Sequence, residues 1–229
     1  VHELHTSPGF GSVWNVSFLP DSRSVLVTAS SSLELWDIIE GKLLRVIKTG
    51  EESVKSCAVS PDGKIALSAS GDRLMRLWSL ETGALIRTFP KFSNDLAVVN
   101  FSPDGKYALS AEFGRHLVKQ WSVSDAKLIR TFTGHRNVVT SVSMSPDGTR
   151  ILSTARDGTV RLWNVPAGTA ELITPVDFDN HAIAGRFSPD GSQFAAGFVD
   201  CSLRVWKTKD KTQTQHFRKQ SPGIESIAL

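Results

Sequence analysis

Four residues set the first chemical question: His135, Ser153, Asp157 and Trp163. A serine, a histidine and an aspartate can serve as nucleophile, base and orienting acid in acyl transfer if the hydroxyl is exposed beside oxyanion donors. Ser153, however, sits inside the hydrophobic run RILSTA, and no GxSxG turn surrounds it. The sequence therefore argues against a nucleophile. His2 and His5 stand three apart, which on a strand points them to opposite faces, so they cannot chelate one ion. Cys57 and Cys201 have neither CxxC nor Cys/His ligand spacing, which predicts no disulfide framework and no zinc site. Cys57, within SVKSCAVS, reads as a small apolar filler, and Cys201, after Asp200, has no cationic neighbour in sequence that would favour a thiolate. Asn15-Val16-Ser17 and Asn100-Phe101-Ser102 match the glycosylation acceptor pattern at the same point of a repeated segment, and no sugar is expected on either. The chain is expected to need no metal and no cofactor.

These residues are placed by a repeat. Tryptophans at 36, 78, 121, 163 and 206 are spaced by 42, 43, 42 and 43 residues. The turn LPDS at 19–22 and the turns SPDG beginning at Ser60, Ser102, Ser145 and Ser188 keep the same register. Each unit holds four short runs of strand type, such as VVTSVSMS, RILSTA, TVRLWNV and KLIRTFTG, separated by Pro-Asp-Gly and Asp-Gly turns. No segment has a 3.6-residue period, so the chain reads as all-β, and a 42–43-residue unit is the length of a propeller blade.

With the Gly134-His135 pair, the SPDG turns and TVRLWN, the chain resembles the WD-repeat family along essentially its whole length. The resemblance implies a β-propeller of four-stranded antiparallel blades around a channel. Five complete units are expected, at approximately 12–48, 53–90, 96–132, 138–174 and 181–218. VHELHT and GIESIAL read as single strands of partial blades, which implies a fragment of a ring of six to eight blades, seven being commonest in the family. Remaining blades or another chain are then needed to cover the open blade faces. The family ties a loop His, a second-strand Ser or Thr, a turn Asp and the third-strand Trp into one hydrogen-bonded tetrad. Carried over, unit four has it as His135, Ser153 (or Thr154), Asp157 and Trp163. Unit two keeps Ser68, Asp72 and Trp78 but has Glu51 for the His; units three and five have Phe92 and Phe178 there, which predicts apolar packing; unit one, TASSSLELW, lacks the Asp. Trp14, off the register, shares parity with Val16 and Phe18 and is expected to pack with them.

Charge and hydropathy narrow the function. Lys plus Arg less Asp plus Glu is 26 − 23 = +3, scattered along the chain, so neither nucleic acid nor an anionic membrane is the expected partner. No apolar stretch approaches the roughly 18 residues of a membrane span. The start has no signal-peptide pattern and no Met, so the chain reads as a piece of a longer protein, and its cysteine usage suits the cytoplasm. The inner strands, NVSF, SCAV, VVNF, SVSM and AGRF, carry only Arg186 as an ionisable group, which argues against catalysis in the channel. The expected function is a non-catalytic protein-interaction scaffold whose upper loops present Arg73, Phe92, Phe113, Arg115, His116, Arg136, Arg156, Phe178 and Phe198 to a protein or acidic peptide. The competing reading of these residues is that the arginines pair with Glu112, Asp157 and Asp95 while the phenylalanines plug blades. A second functional reading is a substrate-recognition or sensor domain of a larger enzyme, such as a signalling kinase, the SPDG-rich repeats looking like those of bacterial multidomain proteins. Nucleic-acid binding ranks behind both.

Overall fold

Pro-Asp-Gly fixes where each strand reverses. In the four SPDG turns the Ser Oγ donates to the Asp Oδ1, for example Ser60 to Asp62 at 2.6 Å and Ser145 to Asp147 at 2.5 Å. The Asp in turn accepts a backbone N–H two residues on, and the Gly takes a φ near +70°, between 69 and 71 in all four. In the first unit Ser22 occupies the left-handed region instead, at φ 54.

The computed structural model describes residues 13–50, 52–175 and 177–218. VHELHT, GIESIAL, His2, His5 and Glu51 lie outside the described residues. The turns separate twenty strands in five antiparallel sheets, each ordered as its chain runs. The first sheet is β1 (Val13–Phe18), β2 (Ser24–Ala29), β3 (Ser32–Asp37) and β4 (Lys42–Lys48). The second is β5 (Val54–Val59), β6 (Ile65–Ser70), β7 (Met75–Ser79) and β8 (Leu85–Thr88). The third is β9 (Leu96–Phe101), β10 (Tyr107–Glu112), β11 (Val118–Ser122) and β12 (Leu128–Phe132). The fourth is β13 (Val139–Met144), β14 (Arg150–Ala155), β15 (Val160–Asn164) and β16 (Thr169–Leu172). The fifth is β17 (Ala182–Phe187), β18 (Gln193–Phe198), β19 (Ser202–Lys207) and β20 (Gln213–Arg218).

Neighbouring sheets stack face to face, with inner strands adjacent in the order β1, β5, β9, β13, β17. Each joint is asymmetric. Leu26, Leu33, Leu35 and Ile47 of the first blade meet Val54, Cys57, Ala66 and Trp78 of the second. The tryptophan thus lies on the face turned to the preceding blade, and Trp121, Trp163 and Trp206 repeat this at the next three joints. Second strands are covered on both sides, which is why IALSAS and, after its leading Arg150, RILSTA are apolar or small. Burying one such leucine contributes about 2 kcal/mol, so the joints, more than local propensity, hold the blades.

The first blade departs from expectation. Trp14, Val16 and Phe18 do share a solvent-facing fate, but they do not pack: they are 57%, 52% and 65% exposed. Their counterparts at the Val16 position, Cys57, Val99 and Val142, are buried against a preceding blade. Trp14 instead holds the Lys55 ammonium 4.5 Å from its ring centroid.

Candidate interaction face

Blade four supplies the best-ordered loop support. His135 stands in the loop entering β13, Ser153 on β14, Asp157 in the β14–β15 turn and Trp163 on β15. Trp163 Nε1 donates to Ser153 Oγ at 2.8 Å, and Ser153 Oγ lies 2.7 Å from His135 Nε2. His135 Nδ1 lies 3.3 Å from Asp157 Oδ2 and 2.9 Å from Thr159 Oγ1. Thr159 donates to Asp157 Oδ1 at 2.6 Å, and the Arg136 backbone N–H donates to Asp157 Oδ2 at 2.7 Å. One assignment satisfies every donor: a neutral imidazole protonated at Nδ1, with the serine hydroxyl donating to Nε2. Burial pushes the His135 pKa down, against the upward pull of Asp157. The Asp157 carboxyl is held well below the ordinary range: burial acts against ionisation, and the hydrogen bonds from His135, Thr159 and Arg136 outweigh it.

This is a serine, histidine and aspartate in contact, yet it can do no acyl transfer. The Ser153 side chain is fully buried and its oxygen already accepts the indole N–H, so no carbonyl can approach. What the arrangement does is tie the entering loop to two strands and so fix the Arg136 and Arg156 backbones. Gly158 completes the turn at φ 76, where an added Cβ would stand 2.1 Å from the Asp177 carbonyl oxygen.

The other blades improvise. In blades two and three the indoles of Trp78 and Trp121 still donate to Ser68 and Ser110, both at 2.9 Å. Blade three is therefore not held by apolar packing alone, as its Phe92 suggests; Phe92 packs edge-on against Trp121 at 5.1 Å in addition. There the buried Glu112 takes over the loop-tying role, accepting the Ser93 and Asn94 backbone N–H groups and an ion pair from Lys119 at 2.5 Å. In blade one the Trp36 indole donates to Glu34 at 3.1 Å. In blade five Ala196 replaces the serine, and Trp206 stacks on Phe194 at 5.4 Å. Phe178 does not fill the gap; it is 52% exposed, while Asn180 bridges to Asp200. Glu34, Glu112 and Asn180 escape sequence reasoning. A signal does exist for Glu34: the residue two before the tryptophan is Arg76, Lys119, Arg161 or Arg204 elsewhere, and only blade one puts an acid there.

The loops above this network carry the expected contact residues, and burial sorts them. Arg73, Arg115, Arg136 and Arg156 are exposed, as are Phe113 and Phe178, while His116 is half-buried. Phe92 and Phe198 are in the core and offer no contact surface, because one packs on Trp121 and the other lies beneath the Arg204 guanidinium, 4.3 Å away. Arg73 reaches Asp95 at 4.0 Å, but among the described residues Arg115, Arg136 and Arg156 have no carboxylate within ion-pair distance. Glu112 and Asp157 are engaged instead with Lys119 and His135. Arg73 and His116 also adopt left-handed backbone, φ 67 and 57, where Gly158 sits in blade four. A depression of about 440 Å³ opens between blades two and three, lined by Arg73, Asn94, Asp95, Phe113 and Gly114.

Known proteins place this architecture. The family described as WD domain, G-beta repeat matches residues 41–79, 126–164 and 177–207. The chain carries WD40 repeats. All three WD40 matches stop just past a third-strand tryptophan, Trp78, Trp163 or Trp206, and the first two begin in or just before the outer strand of the preceding blade. The SIR4-interacting protein SIF2 of Saccharomyces cerevisiae is 35% identical to this WD40 chain over 60 residues, which is 26% of the chain and 11% of that protein. Among the described residues no group of three or more His, Cys, Asp or Glu side chains is placed to hold a metal, and no helix is long and apolar enough to cross a membrane.

Proposed function

We propose that this WD40 chain is a non-catalytic scaffold that presents the loops entering each blade and the turns between second and third strands to an acidic protein segment. The observation that carries this reading is the set of exposed arginines without carboxylate partners, Arg115, Arg136 and Arg156, mounted on a loop layer anchored from below. A guanidinium left open on a rigid backbone can pair bidentately with a partner's carboxylate at little ordering cost. The exposed rings of Phe113 and Phe178 add apolar area beside them. The opposite face is a poor discriminator: its SPDG turns repeat one sequence and consume their polar groups internally. The relative SIF2 is named for an interaction with another protein, in line with a scaffold role. Two unpaired cysteines, Cys57 buried and Cys201 half-buried, fit a cytoplasmic setting.

The test is fluorescence anisotropy with a labelled decapeptide of alternating Glu and Phe. Arg115→Ala and Arg156→Ala should each weaken binding about fivefold to tenfold, while Lys64→Ala and Lys106→Ala on the SPDG face leave it unchanged. Loss through the lysine variants alone would overturn the assignment of the face.

A further inference from the structure

The channel end away from those loops holds a charge that the scaffold reading does not use. Arg186 on β17 occupies the inner-strand position filled by Ser17, Ala58, Asn100 and Ser143 in the other blades. Its Nη1 donates to Ser141 Oγ at 3.0 Å and to the Gly185 carbonyl at 3.1 Å. Those two bonds fix the guanidinium in place. Among the described residues nothing accepts from its Nε or Nη2, and no carboxylate lies within ion-pair distance. A guanidinium does not shed its proton in proteins, so it cannot relieve the cost of burial by going neutral. Burial alone acts on its pKa, pulling it down.

The guanidinium borders a cavity of about 360 Å³ at the SPDG end of the channel. Asn100, Ser102, Ser143 and Ser188 line it as well. Ser143 has a buried Oγ with no hydrogen-bond partner. Asn100 spends one amide N–H on the Val142 carbonyl at 3.1 Å and keeps the second. The apolar part of the wall is made by Val59, Phe101, Met144 and Phe187 and by prolines of the turns. A cavity of mixed polar and apolar wall, with convergent donors and one cation without a counter-ion, has the form of a small-ligand site.

We propose that this cavity binds a small monocarboxylic acid, its carboxylate on the free edge of Arg186 and its apolar body against Phe101, Met144 and Phe187. The guanidinium fork matches a planar carboxylate, and the ligand's charge replaces the missing counter-ion. A dianion is disfavoured by the same end of the molecule. Asp62, Asp104, Asp147 and Asp190 sit in the four turns there, each held ionised by hydrogen bonds from its Ser and a backbone N–H. The site is independent of the arginines on the opposite loops, and either can fail without the other.

Benzoate is the probe, titrated calorimetrically into the full chain at constant ionic strength, with acetate and inorganic phosphate as comparisons. Benzoate should saturate one site, acetate should bind more weakly for want of an apolar body, and phosphate should not displace benzoate. Arg186→Met should weaken benzoate about tenfold or more and, without ligand, melt no lower than the parent, because it removes a part-buried charge that has no counter-ion. Arg186→Lys keeps the charge without the fork and should also weaken benzoate, so it carries the test if the Met variant fails to fold. Arg115→Ala should bind benzoate as the parent does. Equal benzoate affinity in the parent and in either Arg186 variant, or displacement of benzoate by phosphate, would overturn the proposal.

Discussion

His135 accepts through Nε2 and donates through Nδ1, and that pattern survives only while the ring is neutral. Protonation would set a second donor against Ser153 Oγ, which then must turn its own hydrogen away. The pKa of His135 is depressed in the folded chain below its ordinary 6.5, so the unfolded chain takes up the proton first. The stability it contributes is therefore complete above pH 6.5 and is lost as pH falls toward the lower folded value. Subtracting the pH profile of His135→Ala from that of the parent, by urea denaturation, should isolate this slope. The variant should also lose about 1–3 kcal/mol near neutrality, because Ser153 and Asp157 are left with unmet hydrogen bonds. An unchanged denaturation midpoint would remove the network from the account of stability. Arg73 behaves oppositely. Its φ of 67 costs a side chain energy that glycine does not feel, so Arg73→Gly should raise stability by about 0.5–1 kcal/mol while weakening the acidic peptide. A variant both less stable and unimpaired in binding would contradict its place on the interaction face.

Turns are the elements through which the sequence speaks most directly, because their chemistry is local. The SPDG spacing and the five tryptophans locate every blade, and Gly148 and Gly158 show how different two glycines of positive φ can be. Gly148, at φ 71, has open space around a would-be Cβ, so Gly148→Ala should cost about 1 kcal/mol of backbone strain. Gly158→Ala would drive its methyl into the Asp177 carbonyl and should cost about 3 kcal/mol or more. Paired thermal melts check the contrast, and similar losses would mean that the close approach relaxes freely. Legibility ends where partners come from other strands. Glu112 is an ordinary strand-end acid in the sequence; only the β10–β9 register, shifted beside it, brings it under the Ser93 and Asn94 amides. Phe92 and Phe178 look equivalent by spacing, yet one is core and the other surface, since blade three offers Trp121 as a seat and blade five fills its turn through Asn180 and Asp200. The lone arginine of the channel was legible as a residue, but its lack of a counter-ion depends on all five inner strands.

At the scale of the whole molecule, coverage by a neighbour decides what parity cannot. Trp14, Val16 and Phe18 alternate as a core face should, but among the described residues no neighbouring blade buries them as one buries Cys57 or Val99, although Val25, Val27 and Trp36 of the same blade are buried. Leu203 and Val205 on β19 are likewise only half-buried, where Met75, Leu77, Val160 and Leu162 are buried at inner joints. Exposed apolar faces of this kind favour association, so residues 1–229 should sediment as concentration-dependent species. Phe18→Ser should reduce that association without lowering the melting temperature, whereas Phe101→Ser, at the matching buried position, should destabilise the fold. A parent that stays monomeric at all concentrations would refute this. The asymmetry of the joints sets the form such association takes. Among the described residues, Trp14, Val16 and Phe18 on blade one and Leu203 and Val205 on blade five are the incompletely covered parts of the two unlike faces of such a joint, while Val25, Val27 and Trp36 of blade one are already buried. Contacts between unlike ends grow head to tail, and unless the rotation between copies happens to close a ring they give filaments with a critical concentration instead of a dimer of fixed mass. A chain altered at Phe18 alone keeps a working tail, so mixed in at a small fraction it would act as a chain terminator and shorten the polymers of unaltered chains.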